Sequence, residues 1–258
     1  MRSPSSDAYK RCVETAISRE RGDPSRHCRS LIKHFGELTG GQLPRLILDL
    51  GCSVGHNAIY LAEAGFKVYG IDIVPEILQE AMKRASNKNA VFVGGCGEFL
   101  PFKDSLFDFI LLNATLEHVR DWKRVIVEIH RVLRTNGLVY LSTTNRLCPF
   151  QQEVKHFPFF SYLPQRMRDK IIDRYPALVD YALFPARHWF SYYALSTSLL
   201  SVGFTKTWDI IDVIDVHEIP EGVWKISKPF LPILKVLPHP LRFPIYFAIP
   251  GTILYASK

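Results

Sequence analysis

The chain has 258 residues, 47% of them hydrophobic and 22% charged. That is enough for one full α/β unit with an added substrate region, and it excludes a disordered or fibrous chain. The formal charge of +7 is spread along the sequence without a basic run, which favours solubility and nonspecific attraction over a nucleic-acid partner. Five cysteines, Cys12, Cys28, Cys52, Cys96 and Cys148, are odd in number and form no CxxC pair, so neither a disulfide framework nor a zinc site is expected and a reducing cytoplasm fits.

Residues 1–44 mix charge, Gly and Pro with scattered apolar positions and read as one or two helices, with no stretch resembling a signal peptide. An apolar run from Leu46 to Leu50 stops at Gly51 and leads into a helix-like stretch around Ile59 to Leu61, giving strand, glycine turn and helix. Lys67 to Ile73 reads as a second strand, and Pro75 suits the first turn of the helix carrying Ile77, Leu78, Ala81, Met82 and Ala85. Strands follow at Ala90 to Val93 and Phe107 to Leu112. A strongly periodic helix lies between Asp121 and Arg134, and Leu138 to Thr144 supplies a fifth strand. This βα alternation predicts a mostly parallel, Rossmann-like sheet covered by helices on both faces.

The texture changes after Thr144, where twelve of the seventeen prolines fall between Pro149 and Pro250. Residues 145–190 read as an irregular aromatic cap, Tyr192 to Leu200 as a last helix before Gly203, and Phe204 to Ile214 and Thr252 to Ser257 as two final strands of a seven-stranded sheet. Three regions result: a helical segment at 1–44, a core at 45–146, and a cap with the last strands at 147–258. No apolar run reaches the roughly 18 residues of a membrane-spanning helix.

In such sheets ligands bind beyond the carboxyl ends of the strands, beside the first one. There the run Asp49-Leu50-Gly51-Cys52-Ser53-Val54-Gly55 offers glycines that admit a ligand close to the backbone and a following helix N-terminus with open amides. A dinucleotide site needs GxGxxG, which this loop lacks. Asp72 ends the second strand 21 residues beyond Gly51, the spacing of an acid that accepts hydrogen bonds from a ribose diol.

The sequence resembles the class I S-adenosylmethionine-dependent methyltransferases, particularly the branch with the ubiquinone and menaquinone methyltransferases. The matching elements are LDLGCSVG at 48–55, GID at 70–72, GEFLPFKDSLFD at 97–108, LEHV at 116–119 and RVLRTNG at 131–137 followed by LVYLSTTNR. The resemblance implies that Asp49, Gly51, Cys52, Ser53 and Gly55 hold the methionine part of S-adenosylmethionine. It places Asp72 on the ribose, Ile73 on the adenine face, Gly97 and Glu98 at the adenine edge, and Asn113 beside the amino-acid portion. Where the family often has an Asp two residues before the Glu of GEFLPF, this chain has Cys96, and Ser53-Val54 stand where a third glycine is frequent.

Methyl transfer from a sulfonium needs positioning and water exclusion rather than a nucleophilic triad. His118, after the fourth strand, is the candidate general base for a hydroxyl acceptor, its alternative being a structural role in the cofactor loop. No full set of metal ligands accompanies it. In the cap, His156, Arg187 and His188 are candidate substrate contacts, each with packing or surface exposure as the alternative.

Val223 to Pro250 interleaves Trp224, Phe230, Phe243, Tyr246 and Phe247 with Lys225, Lys228, Lys235 and Arg242, and has no acid. It reads as a lid over the site or as a surface resting on an anionic membrane. Both favour a small hydrophobic or lipid-linked acceptor, in the cytoplasm with peripheral contact to the membrane. The competing functions are an NAD-dependent oxidoreductase and a noncatalytic S-adenosylmethionine-binding module.

Overall fold

The structure is a computed structural model and describes residues 14, 24–85, 89–150, 154, 157–175, 178, 185–215, 230–247, 249 and 251–258. Its strands are β1 (Leu46–Leu50), β2 (Lys67–Asp72), β3 (Ala90–Gly94), β4 (Phe107–Asn113), β5 (Leu133–Thr144), β6 (Lys206–Asp209) and β7 (Gly251–Ser257). They form one sheet in the order β3-β2-β1-β4-β5-β7-β6. The first five pair in parallel, and β7 runs antiparallel between β5 and β6. The strand order reverses between β1 and β4, so the turns after these two strands open side by side.

Helices α1 (Pro24–Leu38), α2 (His56–Glu63), α3 (Pro75–Arg84), α4 (Trp122–Val132), α5 (Gln165–Arg174) and α6 (Tyr192–Val202) are the longer ones. The apolar stripe of α4, Val125, Ile126, Ile129 and Val132, packs with Leu195 and Leu199 of α6 on one sheet face. Cys28, Leu31 and Phe35 of α1 and Ala58, Leu61 and Ala62 of α2 cover the other face. With both faces covered, β4 is a continuous run of buried residues up to Leu112, as a parallel central strand requires. Asp121 starts α4 by accepting the Arg124 amide at 3.1 Å, and Gly203, at φ 116°, ends α6.

Three expectations are corrected. The fifth strand begins at Leu133 rather than Leu138, because Leu133 already pairs with Phe107. The strand expected over Phe204 to Ile214 covers only Lys206–Asp209. Asp209 and Asp212 then accept each other's backbone amides in a capping box and turn the chain into the short helix α7 (Ile210–Val213). Arg242, counted above among the basic residues of the 223–250 segment, is buried and ion-paired to Asp209 and Asp212.

The cap has its own cluster of Val154, Phe160, Ile172, Ala186 and Trp189. It is sewn to the end of β5: Ser161 Oγ donates to Arg146 O at 3.0 Å, Tyr162 OH to Leu147 O at 2.6 Å, and Thr144 Oγ1 to His188 O at 2.9 Å. Helices α8 (Leu231–Val236) and α9 (Phe243–Tyr246) precede β7. No helix among the described residues is long and apolar enough to cross a membrane.

Candidate cofactor site

The turn after β1 is shaped by three left-handed residues, Gly51 (φ 78°), Ser53 (φ 50°) and Gly55 (φ 85°). Gly51 tolerates no side chain, since a Cβ there would stand 2.2 Å from Thr115 Oγ1. Its amide and that of Cys52 donate to Ile71 O at 2.8 and 3.1 Å, which fastens the turn to the end of β2. Gly55 caps α2, and a Cβ on it would meet the Phe92 ring at 2.8 Å.

Two carboxylates flank this turn. Asp72 Oδ2 accepts the Ser53 amide and Oδ1 the Val74 amide, each at 3.0 Å. Burial raises its pKa despite these bonds. Asp49 is 2% exposed. The Ala58 amide of α2 donates to it, whereas its Oδ2 has no hydrogen-bond partner. Burial pushes the Asp49 carboxyl up to about 7; the Ala58 amide opposes this and the Asp72 charge adds to it. A buried carboxylate oxygen with no donor, next to a second carboxylate, favours a cationic ligand group. Burial also raises the Cys52 thiol well above its usual range, so it sits in the turn as a neutral group.

Beyond Asp72, Ile73 is 58% exposed and presents an uncovered apolar side chain. Gly97 and Glu98 follow β3. Glu98 accepts the Cys96 thiol at 2.5 Å and the amides of Arg120 and Asp121 at 3.1 and 3.2 Å. Burial works against its charge, but these donors hold it below the usual carboxylate range. Its carboxylate therefore ties the turn after β3 to the start of α4, with Cys96 bonded to it where the family often has Asp. Asn113 is exposed at the end of β4, and its carbonyl accepts Thr115 Oγ1 at 3.2 Å.

His118 lies half-buried in the turn after β4, with its amide donating to Thr115 O at 3.0 Å. Thr143 Oγ1 donates to the buried Glu117 at 2.8 Å, and the Arg187 and His188 amides donate to Glu117 O. The cap thus meets the His118 turn through its backbone. The side chains of the two cap candidates are otherwise engaged: Arg187 pairs with Asp169 and Asp173 of α5 at 3.4 and 3.0 Å, and His188 Nε2 lies 3.0 Å from Val119 O. Burial lowers the His188 pKa. His156 lies outside the described residues. Thr115 and Phe92, which shape the turn, carry no sequence signal of their own, because their role depends on tertiary contact with glycines.

Residues 48–141 match a family model described as a methyltransferase domain. The chain carries a class I S-adenosylmethionine-dependent methyltransferase domain. Over 140 residues it is 31% identical to the demethylmenaquinone methyltransferase of Lactococcus lactis, covering 52% of this chain and 54% of that protein. It is 28% identical to the malonyl-[acyl-carrier protein] O-methyltransferase of Hamiltonella defensa, over 52% of each. The chain thus spans about half the length of these curated relatives.

The fold of the domain and its surroundings matches solved structures. A plantazolicin methyltransferase in complex with a substrate analogue and SAH has a TM-score of 0.60 at 15% identity, covering 98% of this chain and 91% of that one. An S-adenosylmethionine-dependent methyltransferase from Mesorhizobium loti has 0.57 at 16%, covering 87% and 98%. S-adenosylmethionine is the cofactor of this methyltransferase domain, and the glycine turn, the unpartnered Asp49 oxygen and the Asp72 carboxylate suit a ligand with an ammonium and a ribose diol.

Proposed function

We propose that the protein transfers a methyl group from S-adenosylmethionine to a small, hydrophobic or lipid-linked acceptor. The observation that carries the reading is the Gly51 to Gly55 turn held between two carboxylates, one of them with a buried oxygen lacking a donor. Asp49 and Gly51, Cys52, Ser53 and Gly55 would hold the methionine portion. Asp72 would accept the ribose hydroxyls, a carboxylate having lone pairs beyond the two spent on backbone amides. Ile73 would cover the adenine ring, with Gly97 and Glu98 at its edge, Glu98 mainly by fixing the turn. Asn113 would line the amino-acid side.

When bound, the cofactor supplies a methyl group on a positively charged sulfur. The chain then has to orient the acceptor and keep water out. His118, in the turn after β4, would take a proton from a hydroxyl acceptor. The cap segment at 185–190 would close over it, since its backbone is bonded to Glu117. The apolar acceptor is supported by the relative named for demethylmenaquinone, and by the apolar, acid-free sequence at 223–250, which would rest on a membrane.

The test is incubation with methyl-labelled S-adenosylmethionine and a fractionated lipid and metabolite extract. Label should appear in an apolar fraction. Label confined to polar fractions would refute the acceptor class, and a protein that binds NAD but not S-adenosylmethionine would refute the reading as a whole.

A further inference from the structure

We propose that the outer face of residues 230–247 is a docking surface for an anionic lipid bilayer. The proposal deepens the reading of an apolar or lipid-linked acceptor and rests on it for its purpose. Helix α8 has two apolar sides. Leu231 and Leu234 point inward and pack with Ile210, Ile211, Ile214 and Ile245. Phe230, Ile233 and Val236, spaced three apart, are 55%, 57% and 80% exposed, and Leu241, Phe243 and Phe247 extend the same uncovered set. Six large apolar side chains exposed within 18 residues exceed the scattered apolar exposure usual on a protein surface.

A lid would turn its apolar side chains onto the body. Here the inward set already has its contacts: Tyr246 packs in the core and donates to the buried Asp209, so the exposed set faces away. The segment is rigidly held. Arg242 donates to Asp209 at 2.9 Å, to Asp212 at 2.7 Å and to Leu237 O at 3.0 Å. Asn145 Nδ2, just past β5, donates to Tyr246 O and Ile249 O at 2.6 Å. That anchor lies at the carboxyl end of the parallel strands, the end at which β1 and β4 also stop.

The charges choose the occupant. No acidic residue follows Glu221, and the nearby acids Asp209 and Asp212 are largely buried and ion-paired to Arg242. Lys235 is exposed beside the apolar stripe, and Lys225 and Lys228 precede it in sequence. Apolar side chains with the exposed Lys235 among them, in a stretch of sequence that holds no acid, complement an anionic interface, where each basic residue adds to apolar insertion.

The experiment is flotation of the full chain with phosphatidylcholine vesicles, with and without phosphatidylglycerol. Cofactor binding is measured in parallel by calorimetry. The wild type should bind the anionic vesicles about tenfold or more tightly than the neutral ones, and less tightly in raised salt. Val236→Asp with Leu241→Asp, both at exposed positions, should abolish flotation and leave S-adenosylmethionine affinity unchanged. Lys235→Glu should reduce only the preference for anionic vesicles.

A wild type that ignores anionic vesicles, or a double variant that floats as well, overturns the proposal. So does a wild-type dimer in light scattering that the double variant converts to monomer, since the face would then belong to a second copy. A wild type that floats but does not bind S-adenosylmethionine refutes the methyltransferase reading and leaves the docking surface standing.

Discussion

Asp72 Oδ2 accepts the Ser53 backbone N–H at 3.0 Å, so the acid that ends β2 also holds the glycine turn that follows β1. Asp72→Ala removes both the proposed ribose acceptor and this tether. Cofactor affinity should fall by about ten- to a hundredfold, the worth of hydrogen bonds to a charged acceptor. Thermal stability should change little, because the lost bonds are offset by removing a carboxylate whose pKa burial raises. Calorimetry beside a melting curve checks this. Unchanged affinity would remove Asp72 from the site.

Gly51→Ala meets two obstacles at once, a φ of 78° and a new Cβ 2.2 Å from Thr115 Oγ1. The variant should lose about 2–4 kcal/mol, combining left-handed strain with overpacking. Thr115→Gly in the same chain should restore part of it by relieving the contact and not the strain. Urea unfolding of the single and double variants reads the difference.

Asp49 makes the protein sensitive to pH in two opposite senses. Its folded pKa of about 7, set first by burial, lies above the roughly 3.9 of an unfolded aspartate. The stability it contributes is therefore complete below about pH 4 and lost as pH rises through about 7. The cofactor-free protein should lose stability across that window, with Asp72 adding to the slope, and Asp49→Asn should flatten the Asp49 share. Affinity for a cationic cofactor should instead rise between about pH 6 and pH 8, as Asp49 ionises. In Asp49→Asn that rise should vanish. A wild-type affinity independent of pH would show that Asp49 does not face the cofactor's charge.

The glycine turn and Asp72 were legible because each answers a local demand: positive φ selects glycine, and an acid closing a strand leaves a signature at fixed spacing. The five parallel strands and their helices were legible from periodicity for the same reason. What fits around the turn was not. Thr115 against Gly51 and Phe92 against Gly55 are contacts between distant segments, and no pattern within either segment encodes them. Arg187 read as a candidate substrate contact, yet Asp169 and Asp173 take its guanidinium. The capping box that ends β6 was masked by the β-branched texture of Thr207, Ile210 and Ile211, which imitates a strand. Arg242 looked like a surface cation because the acids that bury it lie about 30 residues earlier.

Arg242 therefore supplies a test of how the C-terminal segment is held. Its guanidinium joins Asp209, which is fully buried, to Asp212, and Tyr246 donates a further short hydrogen bond to Asp209. Asp209, Asp212 and His239 bring their ligand atoms together as a metal site would, but Arg242 already provides the positive charge there. Arg242→Met leaves the Asp209 carboxylate buried beside Tyr246 without its cation, and should cost about 3–5 kcal/mol. Adding Asp209→Asn removes the stranded charge, and the double variant should recover much of that loss. Denaturant unfolding of the two variants decides: equal losses in both would mean that Arg242 stabilises through packing alone. The cofactor turn follows β1, three strands from β7 and four from β6 in the sheet order, so S-adenosylmethionine affinity should hold in both variants while the protein remains folded.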